Sequence, residues 1–361
     1  MRNIQVQIVQ HLKPGGIETM VLDLLRCAGE GQEVHVISLE GRSQSALASW
    51  PRLKPFADKL HFLDKPSGTR ISTVFRLARL LRKLRATAVQ THHVGPLLYG
   101  GSAARLAGIR CLVHTEHDAW HLRDARRRKV QNALIAILKP TLVADSRLVA
   151  NELVKALPGR RYMVIPNGVD CDVFTPGEQS SARRKLNLPT DVLIIGSAGR
   201  MEPVKGHARV LIAHALLCEE IHLVLAGTGS LEADLRDLAV KLGTQNRVHF
   251  LGRIDDMPTF YRSLDVFCLP SEMEGMPLSP LEAQASGIPC VATDVGGTRE
   301  AVCPNTGVMV PADTPSVLAQ GLEFVLARRD HGNPRAFPLS QGNLRNVVAA
   351  YQALLLPEVA Q

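Results

Sequence analysis

Two carboxylates eight residues apart, Glu274 and Glu282, stand in the run PSEMEGMPLSPLEA at 270–283. The first falls in a loop and the second about two turns into the following helix. That spacing can set both on one side of a cleft, where carboxylate oxygens accept hydrogen bonds from sugar or ribose hydroxyls. Arg200 and Lys205, in Gly199-Arg200 and Lys205-Gly206, follow a candidate strand and open a helix, a placement that suits a diphosphate through charge-assisted bonds. In Lys13-Pro14-Gly15-Gly16-Ile17-Glu18, Gly15 and Gly16 let the backbone approach a phosphate at a helix N-terminus. A tight strand–helix turn explains that pair equally well. His114-Thr115-Glu116-His117-Asp118 suits substrate hydroxyls, or a metal, or a solvated loop. The second half of the chain offers the metal no complementary ligands. Ala226-Gly227-Thr228-Gly229-Ser230 lacks a third glycine and reads as a structural turn.

These residues need strand ends to hold them. Two successive runs of strand–helix alternation supply such ends, the pattern of parallel sheets covered on both faces. In the first, strands are expected at Ile4–Val9, Val34–Leu39, Lys59–Leu63, Ala88–Thr91, Cys111–Thr115, Leu142–Ala144 and Tyr162–Ile165. In the second they are expected at Val192–Ser197, His222–Ala226, Val248–Leu251, Val266–Leu269, Pro289–Thr293 and Gly307–Val310. Helical spacing puts Ile17, Met20, Val21, Leu24 and Leu25 on one face, and Ile71, Val74, Phe75, Ala78 and Leu81 on another. The fold class is therefore α/β, with two Rossmann-like domains at 1–168 and 169–340. A terminal helix, 341–361, returns to the first. In such sheets ligands lie beyond the carboxyl ends of the strands, and two facing domains form a cleft.

The composition, 45% hydrophobic and 21% charged, is that of a globular protein. No apolar run reaches the length of a membrane span. The start, MRNIQVQIVQ, lacks the apolar stretch of a signal peptide. The seven cysteines are scattered with no Cys-x-x-Cys, which fits reduced thiols and a cytoplasmic location. Charge is segregated: residues 1–170 carry 26 Lys+Arg and 13 Asp+Glu, and the remainder 16 and 21. The basic clusters at 70–85 and Arg123–Lys129 suit an anionic membrane surface, so peripheral attachment to the cytoplasmic membrane face is expected. Only 4% of the residues are aromatic, too few stacking platforms for a nucleic-acid partner.

In order along the chain stand GGIE at 15–18, PNGVD at 166–170 with Phe174, the Gly199–Lys205 loop, GTGS, FLGRIDDMPTFYRSLDVFCLPSEMEGMPLSPLEA at 250–283 and ASGIPCVATDVGG at 285–297. Together they resemble glycosyltransferase family 4, nearest to bacterial sugar transferases of exopolysaccharide and exosortase-associated systems. The resemblance implies the GT-B architecture and transfer with retention from a nucleotide-diphosphate sugar to a glycan or polyprenyl-diphosphate-linked acceptor. It implies that Arg200 and Lys205 hold the diphosphate, Glu274 the donor sugar and Glu282 the ribose. Gly15 and Gly16 would bring amides to the phosphate, and Arg253 and Ile254 would flank the base. His117 would meet the sugar through its ring or its backbone carbonyl. It implies no cofactor and no metal, so the Asp-x-Asp string Asp170-Cys171-Asp172 belongs to a turn. A sugar-nucleotide epimerase of the same architecture and a non-catalytic nucleotide-sugar-binding partner are the rival readings. A dehydrogenase lacks its glycine fingerprint.

Overall fold

The computed structural model describes residues 3–29, 31–328 and 330–356. Residues 1–2, inside the expected first domain, and 357–361, inside the expected terminal helix, lie outside the described residues. The first parallel sheet contains β1 (Asn3–Val9), β2 (Gln32–Ser38), β3 (Leu60–Phe62), β4 (Ala88–His92), β5 (Cys111–Glu116), β6 (Thr141–Ala144) and β7 (Met163–Val164), in the order β3-β2-β1-β4-β5-β6-β7. The second contains β8 (Leu193–Ala198), β9 (Ile221–Ala226), β10 (Val248–Gly252), β11 (Val266–Leu269), β12 (Cys290–Thr293) and β13 (Val308–Val310), in the order β10-β9-β8-β11-β12-β13. Each expected strand is present, with ends shifted by no more than two residues.

Burial on both faces explains the near-continuous apolar runs. In the second sheet, side chains of period two feed two separate cores. Ile194, Val224, Phe267 and Cys290 enter one; Ile195, Leu223, Val266 and Val291 enter the other.

The chain forms two compact units, Met1–Asn167 with Arg345–Gln361, and Gly168–Leu344. Five helices carry or brace the residues of interest: α1 (Gly16–Arg26), α2 (Ile71–Leu84), α3 (Ala125–Leu138), α4 (Leu278–Ala285) and α5 (Leu344–Leu355). Helix α5 presents Val347, Val348, Tyr351 and Leu355, all buried, at helical spacing. It is tied to the first sheet by Asn3 Nδ2 donating to Leu355 O at 3.3 Å and Cys111 Sγ to Leu354 O at 3.3 Å.

Helix α2 departs from its expected orientation. Its buried stripe is Thr73, Leu77, Ala78 and Leu81, while Ile71 and Phe75 are 73% and 58% exposed. Thr73, Leu77 and Leu81 repeat every four residues, and positions 71 and 75 lie two residues off that row, on the far side of a 3.6-residue turn. The helix is where the periodicity puts it, but its phase is different, because two apolar stripes compete in ISTVFRLARLLRKL.

Candidate active site

Each sheet reverses strand order beside its first strand, at β1/β4 and at β8/β11. Helices then leave on opposite faces, and the carboxyl ends of those strands open a crevice. Gly15 and Gly16 follow β1, Arg200 and Lys205 follow β8, and Glu274 follows β11, whereas His117 follows β5 and Arg253 and Ile254 follow β10.

In the second unit the loops after β8, β9, β11 and β12 lock together through backbone. Met201 N–H donates to Thr228 O at 3.0 Å, Glu272 N–H to Val204 O at 2.8 Å and Gly297 N–H to Gly275 O at 2.8 Å. Such contact leaves no room for side chains. Gly227 (φ 135°) and Gly296 (φ 51°) hold conformations L residues rarely adopt, and a Cβ would overlap the carbonyl oxygens of Gly199 and Glu274. The GTGS loop is thus a brace, further tied by Ser230, whose N–H and Oγ–H reach the Glu202 carboxylate at 3.1 and 2.7 Å.

Held by this frame, Lys205 Nζ donates to Glu274 Oε1 at 2.7 Å, and Ser271 Oγ–H donates to the same oxygen at 2.6 Å. The pair is shielded, with side-chain exposures of 25% for Lys205 and 9% for Glu274. Arg200, in the same loop as Lys205, is exposed. Glu282 lies on α4 and accepts a hydrogen bond from the buried Tyr261 hydroxyl at 2.7 Å. Burial, then the Glu282 charge, pushes that phenol well above its usual range, so it stays a donor. Arg253 and Ile254 follow β10, the edge strand. Arg253 pairs with Asp255 at 3.0 Å, and Ile254 rests against the core. They are not in the Lys205–Glu274 contact.

In the first unit Gly15 caps α1, and Gly16 is exposed at its first turn. The Glu18 carboxylate folds back over Gly15, where a Cβ would collide with it, and meets His11 Nδ1 at 3.2 Å. The HTEHD segment is no solvated loop: all five residues are buried. His117 contacts His92 Nδ1 through Nε2 at 3.1 Å and Asp145 Oδ2 through Nδ1 at 3.4 Å. Burial, then the charge of His93, lowers its pKa to about 3, so the ring is neutral at physiological pH.

Glu116, wholly buried, is the hub of a second set of contacts. It accepts from His114 Nε2 at 2.9 Å, Gln131 Nε2 at 2.6 Å and His93 Nδ1 at 3.1 Å. Burial opposes its ionisation, but the charges and hydrogen bonds of His114 and His93 outweigh it and hold the carboxyl well below the usual range. Asp118 and Glu116 in turn raise His121 to about 9 against the burial that would lower it. His93 is raised likewise, against burial, by Glu116 and Asp118. Its backbone sits at φ 67°, ψ 170°, a region costing a non-glycine residue about 1–3 kcal/mol.

The pattern described as "Glycosyltransferase Family 4" matches residues 14–173, and "Glycosyl transferases group 1" matches 178–336. A D-inositol 3-phosphate glycosyltransferase of Thermobispora bispora is 31% identical over 304 residues, 76% of this chain and 70% of that protein. The chain belongs to glycosyltransferase family 4. The UDP-Gal:alpha-D-GlcNAc-diphosphoundecaprenol alpha-1,3-galactosyltransferase of Escherichia coli is 30% identical over 248 residues, 63% of each protein. Another D-inositol 3-phosphate glycosyltransferase, of Geodermatophilus obscurus, is matched over only 55% of its length. Among solved structures, Anabaena HepE in complex with UDP and glucose superposes with a TM-score of 0.85 at 20% identity, over 98% of this chain and 99% of that one. This likeness shows the fold, two Rossmann-like domains of the GT-B type.

Sequence reasoning did not single out His92, His93, His121, Gln131, Asp145, Tyr261 and Ser271, which the structure of this family 4 chain joins to the candidate residues. Thr91-His92-His93 at the end of β4 carried a usable signal, since β4 and β5 are neighbours and their ends must meet. Asp170-Cys171-Asp172 forms a turn, in which the Asp170 carboxylate accepts from the Asp172 and Val173 N–H groups at 2.9 and 3.3 Å.

Proposed function

We propose that this chain transfers a sugar, with retention, from a nucleotide-diphosphate donor to a glycan or lipid-diphosphate-linked acceptor in cell-surface polysaccharide synthesis. The observation that carries this reading is the shielded Lys205–Glu274 pair at the β8/β11 switch point, on loops locked by glycines. Lys205 and Arg200 take the leaving diphosphate, and Glu274 the donor-sugar hydroxyls. Glu282, aimed by Tyr261, takes the ribose diol, and Arg253 and Ile254 flank the base. In the first unit, Gly15 and Gly16 offer amides to the phosphate. The ring nitrogens of His117 already meet His92 and Asp145, which leaves its backbone carbonyl for the sugar.

In the reaction the bond from the anomeric carbon to the diphosphate oxygen breaks. The acceptor oxygen attaches on the same face, and its proton passes to the departing phosphate oxygen. Charge developing on the diphosphate is met by preorganised cations and amides, each worth about 3–4 kcal/mol when lost. No metal is needed in this scheme.

The relatives support the substrate class: the E. coli enzyme's name carries a UDP-sugar donor and a diphosphoundecaprenol acceptor, and HepE has been solved with UDP-glucose. The observed phase of α2 supports docking on an anionic membrane. Exposed Ile71 and Phe75 share that helix with exposed Arg79, Arg82 and Lys83, and α3 opens with exposed Arg126, Arg127 and Lys129. Among the described residues no helix is long and apolar enough to cross a membrane.

The test is nucleotide release from UDP-, GDP- and ADP-sugars, with and without excess EDTA, combined with flotation on neutral and anionic liposomes. Release that continues in EDTA and flotation confined to anionic vesicles are expected. Release from none of the donors, or activity lost in EDTA and restored by manganese or magnesium, counts against the transfer scheme. Equal binding to both vesicle types counts against docking.

A further inference from the structure

We infer that His93, Asp118 and His121 form a binding site for a divalent transition-metal ion of the zinc class, separate from the residues assigned above to the donor. One ligand atom from each lies within 4.8 Å of the others. His93 Nε2 stands 3.8 Å and His121 Nδ1 3.1 Å from the two oxygens of Asp118. A tetrahedral ion with bonds of about 2.1 Å sets its ligands about 3.4 Å apart, close to both nitrogen–oxygen separations, and the three groups would draw together from within 4.8 Å to share it.

The hydrogen bonds behind these atoms decide which nitrogens face inward. Gln131 turns its amide nitrogen toward Glu116 and donates to Oε1 at 2.6 Å. That leaves Gln131 Oε1 facing His121 Nε2 at 2.8 Å, which fixes the ring's outer nitrogen as N–H. His93 gives its Nδ1–H to Glu116 Oε2 at 3.1 Å. Both rings therefore have their outer nitrogen bound to a wholly buried acceptor, the arrangement that orients metal-binding histidines. Their inner nitrogens, His93 Nε2 and His121 Nδ1, converge on Asp118.

Charge points the same way. Glu116 and Asp118 place two carboxylates in a buried region beside the two rings, a setting that suits a divalent cation. Two nitrogens and one carboxylate suit zinc, cobalt, nickel or copper rather than magnesium or calcium. The His93 side chain is 31% exposed, which gives the ion a route in and leaves a position for water. The transfer scheme does not use this ion.

Equilibrium dialysis of untagged, chelator-treated protein against Zn²⁺, with visible absorption after Co²⁺ loading, tests the site. One tightly held equivalent is expected, with a cobalt spectrum of a low-coordinate N₂O set and a higher melting temperature with zinc. His93→Gln, Asp118→Asn and His121→Gln should each weaken binding more than 100-fold, and Gln131→Ala 10–100-fold. The double variant His222→Gln/His249→Gln removes another histidine pair, 2.9 Å apart, and should bind as wild type. No zinc retained by wild type, binding unmoved by the three ligand variants, or binding lost with the His222/His249 pair would each overturn the inference. Because the wild-type melting shift needs no variant, a misfolded mutant cannot hide the answer.

Discussion

The two units hold their candidate site residues by different means. In the second, loops after four strands press backbone against backbone, and glycines at 227 and 296 permit the contact. Lys205 and Glu274 there meet on a frame made of backbone contacts. In the first, the corresponding end is filled by side chains: His92 and His93 from β4, Glu116 and His117 from β5, Asp145 beyond β6, and Gln131 from α3, joined by hydrogen bonds. A frame made of backbone is encoded locally, by glycine. A frame made of side chains depends on which strands end up adjacent.

The largest effect should come from the cations on the backbone frame. Lys205→Ala and Arg200→Ala should each reduce nucleotide release by about 10²–10³-fold with an unchanged circular dichroism spectrum. A variant keeping more than about a tenth of the wild-type rate, roughly 1.4 kcal/mol of barrier, has no part in holding the diphosphate.

Next comes the frame itself. Gly296→Ala must place a Cβ on the Glu274 carbonyl oxygen from a positive φ, whereas Gly108, in the first unit, has φ 83° and open space around it. Chemical denaturation should show Gly108→Ala costing about 1–2 kcal/mol, the left-handed penalty alone, and Gly296→Ala clearly more. Equal costs would mean the second unit's loops are softer than described.

A smaller change is expected for Tyr261→Phe, which removes one hydrogen bond to a carboxylate, worth about 1.5–3 kcal/mol. Donor KM should rise about tenfold or more while kcat stays near wild type, because the ribose does not react. A fall in kcat at constant KM would separate Tyr261 from ribose binding.

A further contrast concerns pH. Burial, then the Lys205 charge, lowers His207 to about 4, and burial lowers His214 to about 4 despite its bond to Ile221 O at 2.9 Å. Their folded pKa values lie below the unfolded value near 6.5, so the unfolded chain binds more protons between pH 6.5 and 4. Stability is full above pH 6.5 and falls as pH drops through that window. His214→Gln should flatten part of the fall in melting temperature, and an unaltered slope would show that His214 is not buried neutral.

The same contrast explains what the sequence disclosed. All thirteen strands were legible because each is a short, apolar-rich segment, unbroken in β11 and alternating with polar residues in β1, set between turn or helix signals. Lys205, Glu274 and Glu282 could be singled out because each stands in a stretch where loop, helix start and neighbouring glycines are adjacent, although Lys205 and Glu274 are 69 residues apart. The phase of α2 was not, since two stripes fit the same period and only packing chooses between them. His93 carried a signal in the Thr91-His92-His93 string, but His121 and Gln131 were hidden because only the folded chain brings them to the ends of β4 and β5. Tyr261 was hidden for a similar reason, being 21 residues from the carboxylate it serves.

Helix α5 gives the first unit a schedule. Residues 168–344, 177 in all, are made between the body of that unit and the helix that completes it. At about 5–20 residues per second, that is roughly 10–35 s on the ribosome. During that interval the surface around Asn3 and Cys111 that receives Leu354 and Leu355 stays open to water, chaperones and proteases, while the second unit can fold uninterrupted. The two halves of one molecule thus mature in the reverse of the order in which they begin.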